Sequence, residues 1–562
     1  MRYTGSGRPA TALGRESRGK FQFMRHLLFV LLLLAWSLPA RAADRPRWIV
    51  ITAPAFKDAA VDLAKHRTAD GFDVTLITTT DFLAPAELQQ GDAAKVRDKI
   101  ATACRGSRDC YVLLLGTPQP GLEAPKIGVP TGAGSLLRML GQPTDNPLGQ
   151  VEKMANDPTG LLPSVALGRL PVKTADEAAA AVRRIIAYDQ AVAAGQVPLS
   201  VSMLIGDPGG TTDTERIMAG LAVTGSFQQM AQRVYPMWAL SAVVQVEGSP
   251  FCLPASGAGG MRETVKKTLG PGFVIYAGHS GPEGMVSGRD AMMTRADWSA
   301  VDAGQTVFVT CGCWACQFGD SAARKGEGYG VAAIRNPRGP VAVIGATGES
   351  YAAAGQLAFD GMLSEFERPV FPARLGGIYG AVKRGIAESP MNPLMFRMLD
   401  ASDGTSGRVP LAEQRKEHLE MWTLLGDPAM RLPEVREEIS WKLPVENLVA
   451  GQPVTVRGIL PQRAVGKLRV TVERVLSDPP LGLVVVPARG VERDAALVKN
   501  WEAANRVLLL EASTSVEAGE FAARFTLPAD LPWERVVLRA QAGEGPTAAK
   551  GARVVGVVKG EK

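Results

Sequence analysis

FVIYAGHSG (Phe273–Gly281) and TVFVTCGCWACQF (Thr306–Phe318) are the two stretches on which the fold turns. Each opens with an unbroken apolar run and ends in reactive side chains. The first ends in His279; the second ends in Cys311, Cys313 and Cys316. Apolar runs without polar alternation are the pattern of strands buried on both faces of a parallel sheet. In open α/β sheets, ligands gather where strands finish at their C-terminal edge. As parallel neighbours, these two strands would bring an imidazole and a thiol together, the arrangement that nucleophilic cysteine catalysis requires. A free thiol of pKa about 8.5 is mostly protonated at neutral pH, and a nearby imidazole generates or stabilises its thiolate.

The same residues admit other readings. Cys313-Trp-Ala-Cys316 is a C-x-x-C after a strand, the local setting of a redox dithiol. That reading predicts a thiol-disulfide oxidoreductase, or a cysteine nucleophile switched off by a Cys313–Cys316 disulfide. Cys311, Cys313 and Cys316 with His279 also supply four ligands for a tetrahedral zinc, although C-x-C-x-x-C is not the usual paired knuckle. A lone histidine at a strand end is as readily a satisfied turn residue. Beyond residue 42 the chain has two other histidines, His66 and His418, both in charged helical contexts that read as packing or solvated positions.

Outward from these stretches, strand-like and helix-like segments alternate. WIVITAP (Trp48–Pro54), FDVTLITT (Phe72–Thr79) and CYVLLLG (Cys110–Gly116) read as strands. FKDAAVDLAKHRTADG reads as a helix closed at Gly71, and Thr174 with Glu177 makes a capping box for a helix running to Gly195. A second α/β unit begins near Ser200, with strands at Val201–Asp207, Phe273–His279, Thr306–Cys311 and Val341–Thr347; MWTLLGDPAM (Met421–Met430) closes it. After Arg436, short strand runs with Gly and Pro punctuation read as an all-β sandwich. The expected class is therefore α/β, as two subdomains with mainly parallel sheets (46–195 and 196–435), followed by a sandwich at 437–562.

The chain has 562 residues and a formal net charge of +6. Seven basic residues and one acid in residues 1–42 account for that whole excess, so no basic face for nucleic acid is expected on the remainder. Those residues include a basic start, the apolar run Leu27–Leu38 and Ala40-Arg41-Ala42, which together read as a secretory signal peptide cleaved after Ala42. Met24 reads as the natural start, with residues 1–23 an upstream extension. The run is short for a membrane span, so the expectation is a soluble protein that is secreted, periplasmic or on the cell surface. Cys104 and Cys110 are close enough in sequence to bridge in such an oxidising compartment.

YAGHSG and CGCWACQF together resemble the His and Cys motifs of the gingipain-type cysteine peptidases (family C25), caspase-like enzymes of clan CD. The likeness extends in order through WIVITAPAFKDAAVDLAKHRTADGFDVTLI, VALGRLPVKTADEAAAAVRRIIAYD and LLGDPAMRLP, spanning about residues 46–435. The resemblance implies a caspase-like catalytic unit and an immunoglobulin-like C-terminal module. Matching Gln317-Phe318 to the family's Gln-Phe implies that Cys313 is the nucleophile of an endopeptidase acting on protein or peptide substrates. It implies that His279 is its proton-transfer partner and that backbone N–H groups of Ser280, Gly281 and Cys313 form the oxyanion hole. The family has Gly directly after His, whereas Ser280 intervenes here.

For substrate selection, the resemblance points to the loop after the first catalytic strand, GDPGGTTDTER, with Asp207 and Asp213, and to GATGESY, with Glu349 and Tyr351. Acids there would select Arg or Lys before the scissile bond. Asp-Pro-Gly-Gly is equally strong turn chemistry. Relatives bind structural calcium, yet no dense acidic loop demands it here, and no cofactor is required by the chemistry. The rival to an enzyme is a non-catalytic secretion or binding protein that keeps the caspase-like fold.

Overall fold

The apolar runs form a single ten-stranded sheet. In chain order its elements are β1 (Arg47–Thr52), α1 (Lys57–Ala69), β2 (Asp73–Thr78), α2 (Ala93–Cys104), β3 (Cys110–Leu115), β4 (Ala166–Leu170), α3 (Ala175–Ala193), β5 (Ser200–Ile205), α4 (Asp213–Arg233), β6 (Ala239–Val244), β7 (Gly272–Ala277), β8 (Thr306–Thr310), β9 (Ala342–Ala346), α5 (Ala352–Phe366), α6 (Leu411–Met421) and β10 (Trp422–Leu425). The computed structural model describes residues 45–559, apart from 210–211, 258, 321–323, 403–404, 406, 443–446, 463, 465, 517–518 and 546–547. The expected signal peptide lies outside the described residues. Residues 1–46 and 47–562 cluster as separate units, and the sheet belongs to the second.

The strand order is β2-β1-β3-β4-β10-β9-β8-β7-β5-β6. Two parallel half-sheets are thus fused, where two separate sheets were expected. The junction is β10, which runs antiparallel to β9 and parallel to β4 through the pair Leu425 and Arg169. It is supplied by the motif MWTLLGDPAM, the last α/β stretch of the chain, so the N-terminal half is completed only after the C-terminal half has been traversed. Gly168 is required at this crossing: a Cβ there would lie 2.2 Å from the Gly426 carbonyl. One hydrophobic core runs through both halves, from Trp48 and Leu113 to Phe308 and Ile344.

Local signals build these elements as expected. Thr174 Oγ1 accepts from the Glu177 N–H (3.2 Å), and Glu177 accepts from the Lys173 N–H (2.7 Å), so both sides of the α3 N-terminus are capped. Gly71 and Gly195 close α1 and α3 with positive φ (92° and 68°). Cys104 and Cys110 form a disulfide that ties the end of α2 to the start of β3. Among the described residues, no helix is long and apolar enough to cross a membrane.

The C-terminal region has its own core, around Val456, Leu468, Phe521, Phe525 and Leu538. It contains β11 (Pro453–Leu460), β12 (Gly466–Glu473), α7 (Val491–Asn505), β13 (Leu508–Val516), β14 (Gly519–Thr526), β15 (Arg535–Ala542) and β16 (Ala549–Val558). One sheet carries β13-β12-β15-β16 and the other carries β11-β14. The region is not all-β: α7 is inserted between β12 and β13. That helix covers the sheet edge at β6. Asn505 accepts from the Ala242 N–H (2.8 Å) and donates to its carbonyl (3.0 Å), and Trp501 Nε1 donates to the same carbonyl (2.9 Å). An exposed strand edge is a template for unwanted pairing, and here a side-chain amide saturates it.

Candidate active site

β7 and β8 are parallel neighbours, with Tyr276 opposite Thr310 and Ile275 opposite Val309. His279 and Cys313 therefore leave the same edge of the sheet from adjacent strands. The two turns are joined directly. The Cys311 N–H donates to the Tyr276 carbonyl (2.8 Å), and Ser280 Oγ donates to the Cys313 carbonyl (2.7 Å). Gly312 makes this approach feasible, since a Cβ there would lie 2.2 Å from Ser280 Oγ.

His279 is exposed, and Cys313 is half-buried. The His279 Nε2–H donates to the Pro208 carbonyl at 3.0 Å. A carbonyl only accepts, so Nε2 carries a proton in this contact. The Pro208 carbonyl is aimed by its own turn. Asp207 Oδ1 accepts from the Gly209 N–H (2.9 Å), and the Asp207 N–H donates to Ser287 Oγ (2.9 Å). On the other side, the fully buried Tyr276 hydroxyl lies within hydrogen-bond distance of the His279 and Val286 carbonyls (2.5 and 2.9 Å). It pins the His279 backbone to a short hairpin in which Ser280–Gly281 pairs with Gly284–Met285.

Cys313 Sγ sits 3.6 Å from Ser350 Oγ. Burial pushes the Cys313 thiol up, only partly opposed by the Ser350 hydrogen bonds, so at rest the group is the neutral thiol. The next residue, Trp314, has φ of +62°, a left-handed conformation that a bulky side chain adopts only when held there. Its N–H donates to the Gly348 carbonyl (2.9 Å), and the Arg324 guanidinium lies 5.0 Å from its ring centroid. The turn is pressed from below by the segment after Gly326: a Cβ at Gly328 would lie 2.2 Å from the Trp314 carbonyl.

The other two cysteines of the cluster differ. Burial pushes the Cys311 thiol up to about 12, aided by Asp360. Cys316 is fully buried against Gly345, its thiol raised further still by burial alone. Cys313 and Cys316 are both free thiols. Among the described residues, no group of three His, Cys, Asp or Glu side chains is placed to hold a metal ion, and the zinc set Cys311, Cys313, Cys316 and His279 is not assembled.

Of the acids expected to select substrate, Asp207 closes the turn that holds Pro208. Asp213 begins α4, its side chain outside the described residues. Glu349 and Tyr351 do flank Cys313 through Ser350, but a loop of the N-terminal half reaches them first. Arg138 Nη1 lies 3.7 Å from Glu349 Oε1, and its guanidinium covers the Tyr351 ring at 4.0 Å from the centroid. Sequence reasoning missed Arg138, Ser350 and Pro208, although Pro208 and Ser350 lay in the two stretches already singled out for substrate selection.

The remaining histidines serve the fold. His66 Nε2 meets the buried Asp189 carboxylate (3.0 Å). His418 is fully buried: its Nδ1–H donates to the Gln414 carbonyl (3.1 Å), and its Nε2 accepts from the Tyr351 N–H (3.2 Å).

Comparison with known proteins adds one family match, to peptidase family C25 over residues 41–433. No curated protein matches. Among solved structures, one described as "Structure of Protease" is 12% identical, covering 91% of this chain and 97% of that chain with a TM-score of 0.49. Dimeric latent PorU from Porphyromonas gingivalis is 15% identical over 92% of this chain and 43% of that one, with a TM-score of 0.33.

Proposed function

Since the chain belongs to peptidase family C25, we propose that it is an exported cysteine endopeptidase working through Cys313 and His279. The observation that carries this reading is the hydrogen bond from His279 Nε2 to the Pro208 carbonyl, 3.0 Å long, in the turn after β7, the strand directly beside β8, which leads into Cys313. With Nε2 committed as donor, Nδ1 is the atom free to accept a proton. The Cys313 thiol, neutral at rest, then needs a base as the substrate arrives.

The steps follow from those protonation states. Nδ1 takes the thiol proton as Sγ attacks the scissile carbonyl, and the oxyanion is held by backbone N–H groups of Ser280, Gly281 and Cys313. The imidazolium returns its proton to the departing amine, leaving a thioester on Cys313. Water, deprotonated by the same imidazole, then releases the acid product and restores the thiol. No cofactor enters this sequence.

The Cys104–Cys110 disulfide supports export through the residue 1–42 signal peptide, because such bridges persist in oxidising compartments. We assign residues 46–195 and 196–435 as the two α/β subdomains and 437–562 as an immunoglobulin-like module. Profiling of wild type, Cys313→Ala and Cys316→Ala against a peptide library under reducing conditions tests the assignment. Cys313→Ala is expected to lose cleavage by about 10³-fold or more, and Cys316→Ala to keep most of it. A dead Cys316→Ala beside an active Cys313→Ala would move the nucleophile. No cleavage by the wild-type protein would favour a non-catalytic role.

A further inference from the structure

Arg138 lies far in sequence from both motifs, yet its guanidinium meets Glu349 and Tyr351, the two neighbours of the Ser350 that touches Cys313. It belongs to the segment 132–142, which leaves the N-terminal half and is anchored to α6. The Ser135 N–H and Oγ donate to Glu420 (3.0 and 2.7 Å), and the Arg138 N–H donates to Glu417 (2.8 Å). Met139 is fully buried, and a Cβ at Gly348 would lie 3.2 Å from its sulfur, so the segment is seated on the Thr347–Tyr351 turn that also carries Ser350. Between these anchors Leu137 takes a φ of +28°, and Leu137 and Leu140 stay exposed beside Arg138. A strained turn that presents two leucines and a cation on the rim of a cysteine site is built to touch something that arrives.

We propose that Arg138 is the specificity-determining residue of this site and selects peptides with an acidic side chain immediately before the scissile bond. This rests on the assignment of Cys313 as nucleophile. What each partner of Arg138 still offers decides which charge the site accepts. The Tyr351 ring is nearly inaccessible and already covered by the guanidinium, and the tyrosine hydroxyl is engaged by Glu417. Tyr351 therefore cannot receive a substrate cation. Glu349 is 58% exposed and 3.7 Å from Arg138, without a hydrogen bond between them. Such a pair is weak in water, and Glu349 is free to swing into solvent. Arg138 is held by the aromatic stack and its anchored backbone and stays in place. A substrate carboxylate can then make a charge-assisted, bidentate contact with a preorganised guanidinium.

A substrate Arg or Lys would meet that fixed cation instead. Of the acids expected to favour a basic residue, Asp207 is spent on its own turn.

The test compares kcat/KM on peptides that differ only in the residue before the scissile bond (Asp, Glu, Ala, Arg or Lys), for wild type, Arg138→Gln, Arg138→Lys and Glu349→Gln, under reducing conditions. Wild type is expected to favour Asp or Glu over Arg and Lys by about tenfold or more. Arg138→Gln is expected to collapse the acid-to-alanine ratio by a similar factor, mainly through KM. Arg138→Lys should restore part of that ratio, and Glu349→Gln should raise it. A preference for Arg or Lys, or an acid-to-alanine ratio unmoved by Arg138→Gln, would overturn the inference and leave the peptidase intact. Absence of cleavage on every peptide would remove the peptidase reading and this inference together.

Discussion

Both halves of the sheet gather polar side chains at strand ends, and they use them in opposite ways. In the N-terminal half the groups are buried and saturated. Asp427, just past β10, accepts from Arg67 Nε and Nη2 (2.9 and 2.7 Å), from Trp48 Nε1 (3.0 Å) and from the Ala429 N–H (3.0 Å). Arg67 Nη1 reaches Asp189 on α3 at 2.5 Å, and Asp70 pairs with Arg374 and Arg431. Arg67, Asp189 and Asp427 are each at most 1% exposed. In the C-terminal half, the Cys313 thiol meets Ser350 and the His279 ring meets the Pro208 carbonyl, with no buried ion pair about either among the described residues. Saturation fixes three elements around a point, and incomplete saturation leaves atoms able to react.

The largest expected effect comes from breaking the saturated side. Removing one partner of a buried ion pair leaves an uncompensated charge and costs about 3–5 kcal/mol. Asp427→Ala should lower the denaturant midpoint accordingly, whereas Cys313→Ala should leave it within about 0.5 kcal/mol of wild type, in the range of changes that disturb no such network. An unmoved midpoint in Asp427→Ala would show that Asp189 alone suffices for Arg67 and would undo the contrast.

Acid separates the halves in a different way. His418 behind Tyr351 is driven down to about 3, first by burial and then by the nearby charges of Arg138 and Lys383. Its unfolded value is about 6.5, so its contribution to stability is complete above that pH and is lost as pH falls from about 6.5 toward 3, at up to about 1.4 kcal/mol per pH unit. Asp189 is opposite in charge but alike in sign. Burial would raise its carboxyl, yet Arg67, His66 and the Arg431 N–H hold it below the ordinary value. Its contribution is complete above about pH 4 and is lost only below that. Denaturation between pH 7 and 4.5 should therefore show a slope that His418→Gln abolishes and Asp189→Asn leaves in place. A slope that persists in His418→Gln would assign it to other groups.

The sequence made the catalytic half readable because its signals are local. An apolar run ending in His279 and another ending in Cys313 needed only the assumption that neighbours in sequence are neighbours in the sheet, and β7 and β8 obey it. What was not readable depends on distant pairing. Nothing near Arg138 marks it as different from other arginines until α6 anchors its loop. The single fused sheet was hidden because β10 completes the N-terminal half from more than 250 residues beyond β4. Helix α7 was a different kind of miss. VERDAALVKNWEAAN is rich in strong helix formers, but short strand runs on both sides set the class of the whole region.

Ser280 gives the smallest effect and the finest test of the contrast. It interrupts the family's His-Gly step, yet its hydroxyl donates to the Cys313 carbonyl and is itself met by the buried Tyr329 hydroxyl, which also bonds Thr310 Oγ1 (3.0 Å). Thr310 Oγ1 in turn accepts from the Gly312 N–H (3.2 Å). The extra residue thus brings a small saturated network, of the kind that orders the other half, directly beneath the reactive atoms. Its hydroxyl has a positioning role: it holds the backbone that carries Sγ, whereas the oxyanion contact proposed for Ser280 comes from its backbone N–H. Ser280→Ala should lower kcat by about tenfold, since small misplacements beside the reacting atoms are costly. KM and the denaturant midpoint should change little, and Ser280→Thr should recover part of the loss. A matched rise in KM would instead place Ser280 in substrate binding, and an unchanged kcat would mean that Gly312 and the strand pairing hold the turn without it.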